Sequence, residues 1–167
     1  GKSQTTRYIS NILKRLGKKV VAIRHPMPYG DLAAQACQRF AAYADLDREK
    51  CTIEEREEYE PHIDNGFVVY AGVDYGRILA KAQKEADVIL WDGGNNDLPF
   101  YVPALHICIA DPHRAGHETA YHPGEANFRR ADVIVVNKCE TAEGANIASV
   151  ESAAARVNPK ARVLRAD

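Results

Sequence analysis

Gly1-Lys2-Ser3-Gln4-Thr5-Thr6 opens the chain, and its reading decides the fold. Behind it, Tyr8, Ile9, Ile12, Leu13 and Leu16 recur at helical spacing, and Gly17 supplies a stop. Gly-Lys-Ser therefore sits where a helix begins. The first N–H groups of a helix have no internal partner and carry the positive end of its dipole, so they favour phosphate. The tripeptide is the back half of a phosphate-binding loop, G-x-x-x-x-G-K-[ST]. On that reading Gly1 lets the backbone approach a phosphate, Lys2 reaches the β- and γ-phosphates, Ser3 holds Mg²⁺, and Gln4 continues the nucleotide-binding stretch. The front half of the loop and the strand leading into it would precede residue 1. The expectation is a P-loop nucleotide-binding domain over residues 1–167, truncated at its N-terminus, missing its first strand, and part of a larger parent protein. With its loop incomplete, the fragment alone is expected to be inactive.

Composition narrows the field. The 167 residues suffice for one domain with a full core. Lys+Arg number 22 against 23 Asp+Glu, an even balance that gives no electrostatic case for nucleic acid or an anionic membrane. No apolar run approaches the ~20 residues that span a bilayer. Cys37, Cys51, Cys108 and Cys139 are scattered without a C-x-x-C pair, which argues against a disulfide framework or structural zinc and for reduced thiols in a cytoplasm.

Strand and helix signals alternate along the chain. Lys18 to Ile23, Phe67 to Tyr70, Val88 to Trp91, Leu105 to Ala110, Val133 to Val136 and Arg162 to Leu164 read as strands. The Ala-rich stretch from Leu32 to Leu46 reads as a helix. Thr52 and Glu55 form a capping box for a charged helix that runs to about Tyr59 and stops at Pro61. Asp74 caps a helix through Lys84. Residues 112–124 read as a loop, and Glu125 to Arg130 and Ile147 to Val157 as helices. Continuously apolar strands alternating with helices predict an α/β fold, a mostly parallel sheet flanked by helices in three α/β/α layers. Ligands bind such sheets at the carboxyl ends of the strands, where polar residues gather here.

Four constellations follow. Asp92 ends an apolar strand, as expected of the Mg²⁺-side carboxylate of a phosphate-loop protein, and Gly93 and Gly94 admit a γ-phosphate to the backbone. Asn137-Lys138-Cys139-Glu140 follows another strand where guanine-specific GTPases carry N-K-x-D. Glu140 is one methylene longer than Asp, so a base pocket is expected with the base left open between ATP and GTP. Arg24 and His25 are candidate substrate ligands, and Asp31 a candidate to orient a nucleophile or a Mg²⁺-bound water. Arg114 and His117 lie on a Pro- and Gly-rich loop that suits an anionic substrate better than a tetrahedral zinc. The acidic run from Glu54 to Glu60 reads most simply as an exposed helix face, or as a helix lying over the site.

The strings RHPMPYGDL, QRF, TIEEREEYE, YAGVDY, ILWDGGNNDLPF, GHETAYHPGEANFRRADVIVVNK and NPKA resemble the nucleotide-binding domain of the cyclic 2,3-diphosphoglycerate synthetase family over almost the whole chain. The resemblance implies a P-loop fold and ATP-driven closure of an intramolecular phosphoanhydride in 2,3-bisphosphoglycerate, a small phosphorylated metabolite. Cys139 and Glu140 depart from the N-K-V-D-T-A that members of that family often show. A regulatory or metallochaperone-like GTPase acting on a partner protein is the alternative.

Overall fold

The computed structural model of the chain describes residues 1–25, 31–94 and 97–167. Most of the proline-rich motif after His25, and Asn95-Asn96 after Gly93-Gly94, lie outside the described residues. The chain divides into two compact units, Lys2–Gly93 and Gly94–Asp167 with Gly1.

The first unit runs α1 (Lys2–Arg15), β1 (Val20–Arg24), a 3-10 turn (Ala34–Ala36), β2 (Gln38–Phe40), α2 (Tyr43–Arg48), α3 (Ile53–Asp64), β3 (Val68–Ala71), α4 (Tyr75–Ala82) and β4 (Val88–Asp92). Its ladder has the order β2-β3-β1-β4. β3 and β4 flank β1 in parallel, and β2 joins β3 antiparallel. β1 is buried along its whole length, which is why its sequence is an unbroken β-branched run rather than an alternation. Ala22, Phe40, Leu46, Tyr59, Val69 and Ala71 form the core beside it. α1 ends as its sequence predicts. Gly17 takes φ +75°, and Gly17 N and Lys18 N donate to the carbonyls of Lys14 and Leu13 at 3.0 Å each.

Two expectations are corrected in this unit. The helix predicted from Leu32 to Leu46 is instead a 3-10 turn, the strand β2 and the helix α2. Pairing overrides alanine propensity there: Phe40 is fully buried and stacks on Tyr59 at 4.7 Å, while Arg39 on the opposite face pairs with Glu85. α3 does not stop at Pro61 but continues to Asp64. The proline ring has helical φ, and burial of Tyr59 and His62 on either side of it holds the last turn in place.

The second unit runs β5 (Ile107–Ala110), a 3-10 turn (Pro112–Arg114), α5 (His117–Ala120), α6 (Gly124–Arg130), β6 (Val133–Val136), α7 (Gly144–Val157) and β7 (Arg162–Arg165). All three strands are parallel in the order β5-β6-β7. The stretch 112–124, read as a loop, thus contains a 3-10 turn and a short helix. Phe128, Ile134, Val136, Val150 and Ala154 are fully buried at the centre of this unit. Buried Asn158 donates to the carbonyls of Phe128 at 3.0 Å and Ala131 at 2.8 Å, tying the end of α6 to the end of α7. The chain is thus mixed α/β with mostly parallel strands and flanking helices, but the strands form two ladders. Among the described residues β4 and β5 each have a partner on one edge only, and their apolar residues other than Ala110 are half-buried rather than enclosed. Among the described residues no helix is long and apolar enough to cross a membrane.

Gly72 follows β3 with φ +147°. Val73 N and Asp74 N donate to the carbonyls of Gln35 and Ala36 at 3.1 and 2.9 Å, so the two backbones lie nearly in contact. A Cβ on residue 72 would stand 2.7 Å from both carbonyl oxygens. Gly72→Ala is therefore expected to cost about 3 kcal/mol through strain and a backbone clash. Urea unfolding monitored by circular dichroism checks it, and a loss under about 0.5 kcal/mol would contradict the close approach.

Candidate functional site

β1 and β4 run parallel in a register that sets Arg24 beside Asp92 at their carboxyl ends. α1 begins at Lys2, so Ser3 stands in its first turn. Arg24 is 6% exposed, Asp92 2% and His62 of α3 0%. Burying charged groups together is tolerable where they are paired, and Arg24 is the cation that pairs with the carboxylates here. Its Nη1 donates to Ser3 Oγ at 3.2 Å and lies 2.6 Å from Asp92 Oδ2. Its Nη2 pairs with Glu58 Oε2 of α3. The planar guanidinium fork serves three partners at once, which a lysine cannot do in fixed geometry. His62 Nε2 stands 3.7 Å from Asp92 Oδ2, beyond hydrogen-bond range. Burial pushes the Asp92 carboxyl upward, but His62 and Arg24 outweigh it and hold the group below its ordinary 3.8.

Ser3, Arg24 and Asp92, read separately from sequence, thus meet at one place. Lys2 and Gln4 share the first turn of α1 with Ser3, and half-buried Gly93 follows Asp92 directly. His25 follows Arg24 and is half-buried. Two readings change. Arg24, expected as a substrate ligand, is enclosed by Ser3, Glu58 and Asp92. Asp31 is exposed, and its Oδ1 accepts from Ala33 N at 2.9 Å and Ala34 N at 3.4 Å, so its carboxylate braces its own turn rather than a nucleophile or a Mg²⁺-bound water.

Glu58 and His62 did not stand out in the sequence because the acidic run around them reads as a solvated face. A signal was available. Glu55, Glu58, Tyr59 and His62 share one helical stripe, and the aromatic among them marks that stripe as the inward one. Glu55, Tyr59 and His62 are indeed buried.

The second unit has its own polar edge. Asp111 and Asn137-Lys138 follow β5 and β6, and Lys138 Nζ pairs with Asp111 Oδ2 at 2.7 Å. Burial raises the Asp111 carboxyl, while Lys138 and the His113 amide draw it net below its ordinary value. Asn137 is buried, its N–H donating to Ala110 O at 3.0 Å, and Lys138 takes φ +62°. Glu140 is exposed, with its N–H donating to Asp167 Oδ1 at 2.7 Å. Arg114 and His117 are exposed, and the His117 ring packs edge-on to Tyr121 at 5.0 Å. Gly94 N donates to Asp97 Oδ2 at 2.7 Å, and Gly1 is exposed. The expected site residues are therefore shared between the two units, with Ser3 and Asp92 both in contact with Arg24 in the first and Asp111 paired with Lys138 in the second.

No family model matches the chain. The chain is 63% identical over 166 residues to the arginine synthetase ArcE of Thermococcus kodakarensis, a match covering 99% of this chain and 37% of that protein. It thus spans little more than a third of the length of this curated relative. Among solved structures, HypB from Helicobacter pylori in complex with nickel is similar over 99% of this chain and 86% of its own, at 13% identity and a TM-score of 0.49, a likeness too slight to carry function.

The Asp92 cluster has a measurable pH signature. Its carboxyl sits below the ordinary value in the folded chain, so it contributes stability above about pH 4 that is lost as pH falls through the folded value. Asp92→Asn is expected to cost about 3 kcal/mol at pH 7, the cost of leaving a buried cation short of a partner. The gap to the unsubstituted protein should narrow as the pH is lowered below about 4, where Asp92 itself becomes neutral. Denaturant titrations across pH 2.5–7 follow both, and a gap that widens on acidification would refute the assignment.

Proposed function

We propose that these 167 residues are the nucleotide-binding segment of a longer, cytoplasmic synthetase that makes arginine, with ATP as phosphoryl donor and Mg²⁺ as the accompanying cation. One observation carries the nucleotide half of this reading. Ser3 Oγ and Asp92 Oδ2 converge on a single cationic nitrogen at the head of α1. A hydroxyl and a carboxylate around a positive charge fit Mg²⁺, a hard cation that takes few protein oxygens and keeps waters and substrate phosphates for the rest of its shell. Among the described residues no group of three or more His, Cys, Asp or Glu side chains is placed to hold a metal ion by itself. Bound there, Mg²⁺ would neutralise the charge of the β- and γ-phosphates.

The chain's own groups then have distinct tasks. The first-turn amides of α1 and the Lys2 ammonium receive the phosphates. Asp92 stays ionised at neutral pH because His62 and Arg24 hold its carboxyl low. Asn137, Lys138 and Glu140 serve the base side. Arg114, His117 and His25 are the candidates for substrate anions. The free thiols of Cys37, Cys51, Cys108 and Cys139 suit a reducing compartment.

The arginine half rests on the name of the relative at 63% identity. Making a guanidinium from a ureido group replaces oxygen by nitrogen. The ureido oxygen attacks the γ-phosphorus and ADP departs. The nitrogen lone pair of ammonia then forms the C–N bond, the C–O bond breaks, phosphate leaves, and ammonia's surplus protons pass to solvent and to the product. Position and charge neutralisation are what a protein contributes to such a transfer. Cyclisation of 2,3-bisphosphoglycerate, implied by the motif resemblance, shares the activation step but takes a phosphate oxygen as acceptor and a neighbouring phosphate as nucleophile.

The full-length protein tests both. It would be given ATP or GTP with citrulline and ammonium, or with 2,3-bisphosphoglycerate, and followed for phosphate, arginine and cyclic product. The expected outcome is ATP-dependent arginine formation with matching phosphate release, reduced a hundredfold or more, on the order of an electrostatic group lost from the transition state, by Lys2→Ala. Cyclic product without arginine would replace the substrate assignment. Turnover of GTP alone would favour the regulatory GTPase.

A further inference from the structure

Arg24 is engaged in an unusual way for a structural arginine. One of its nitrogens, Nη1, contacts both Ser3 Oγ and Asp92 Oδ2. These are the two side chains proposed above as ligands for the cation that accompanies the nucleotide. The guanidinium therefore lies where a divalent ion would have to lie to touch both. Its other terminal nitrogen is held by Glu58, whose side chain is 34% exposed while that of Asp92 is 1% exposed. The fork has an inner end on the presumed metal ligands and an outer end on a carboxylate nearer solvent.

We infer that Arg24 is a resident substitute for the metal ion, a positioning residue that holds Ser3 and Asp92 together in the nucleotide-free protein and gives way to the divalent cation when metal and nucleotide bind. The inference rests on the nucleotide reading and adds a competitor to it. Three physical points support it. A buried Asp92 without a cation would be severely penalised, so some positive group must stand there when no metal does. An arginine cannot leave by losing its proton, so it can clear the position only by moving. Glu58 offers the guanidinium a carboxylate partner on the outer side, so a short displacement toward α3 keeps its charge paired. Metal entry and arginine withdrawal are then one exchange of cations.

The test reads metal binding, not turnover. Mn²⁺ affinity of the full-length protein would be measured by electron paramagnetic resonance without nucleotide, for the unsubstituted protein, Arg24→Met, Glu58→Gln and the control Arg56→Met. Arg56 lies on the same helix and pairs with Asp47 and Glu60, outside the cluster. The expected result is roughly a tenfold or greater gain in Mn²⁺ affinity for Arg24→Met, because two oxygen ligands and their charge are released. Glu58→Gln is expected to weaken Mn²⁺ binding, since the arginine loses its outer partner, and Arg56→Met to leave it unchanged. Unchanged or weaker Mn²⁺ binding in folded Arg24→Met overturns the inference. Should that variant fail to fold, Glu58→Gln decides alone, and equal or tighter binding in it overturns the inference. Binding of a fluorescent ATP analogue, lost in Lys2→Ala, separates the two layers. If the analogue binds and Arg24→Met gains no metal affinity, the exchange is wrong and the nucleotide reading stands. If no analogue binds and Arg24→Met gains Mn²⁺ affinity, the cation position is supported and the nucleotide reading fails.

Discussion

A guanidinium 6% exposed can exist in a folded chain only where anions and acceptors surround it, and Arg24 recruits them from three other elements of its unit. Ser3 comes from the first turn of α1, Glu58 from α3 and Asp92 from the end of β4, while Arg24 itself ends β1. The register of β1 against β4 is fixed by their apolar pairing, Val20 with Val88 through Ile23 with Trp91. That same register delivers Arg24 beside Asp92. The polar cluster is therefore a consequence of core packing as well as a constraint on it. A slip of one residue in either strand would turn its charge to the other face of the sheet, away from its partner.

His62 adds a second condition. It is fully buried, and neither ring nitrogen has a hydrogen-bond partner at proper distance. Its Nε2 stands 3.7 Å from Asp92 Oδ2. The imidazole beside the carboxylate helps keep it ionised. α3 is thus more than a cover on the sheet. It brings Tyr59 to stack on Phe40, and on the same stripe it brings Glu58 and His62 to the carboxyl end of the strands. Its continuation through Pro61 is what puts His62 there.

Much of this was legible in the sequence, where local chemistry decides the outcome. Thr52 and Glu55 form the expected capping box, with Thr52 N donating to Glu55 Oε2 at 2.8 Å and Glu55 N to Thr52 Oγ1 at 3.3 Å. Asp74 caps α4 through Arg77 N at 2.8 Å. The apolar runs became parallel strands with polar ends, and Ser3 and Asp92 each lie against Arg24. The unread parts depend on distant partners. Gln38-Arg39-Phe40 is a strand only because β3 lies alongside it, and nothing within Leu32 to Leu46 announces that. Arg24 looked like a free cation because its three partners lie 21, 34 and 68 positions away along the chain, by subtraction of residue numbers. The division of the strands into two ladders was equally invisible, since apolar runs do not name their neighbours.

A cluster built for stability alone would do better without charge, because well-packed apolar side chains of similar volume usually match or exceed a buried ion pair. What the Arg24 cluster provides is a fixed distance between a hydroxyl and a carboxylate and a cation position between them. On the proposed exchange, a divalent cation would take that position as the guanidinium leaves it, so a positive charge would stand beside Asp92 in either state. Asp92 would then never stand unpaired in its buried position, and the desolvation cost already incurred in folding would not be incurred again on binding. A lysine would hold the same charge but lacks the fork that reaches Glu58 while still bonding Ser3 and Asp92. The geometry of arginine, rather than its charge alone, is what lets one side chain hold Ser3, Glu58 and Asp92 at once.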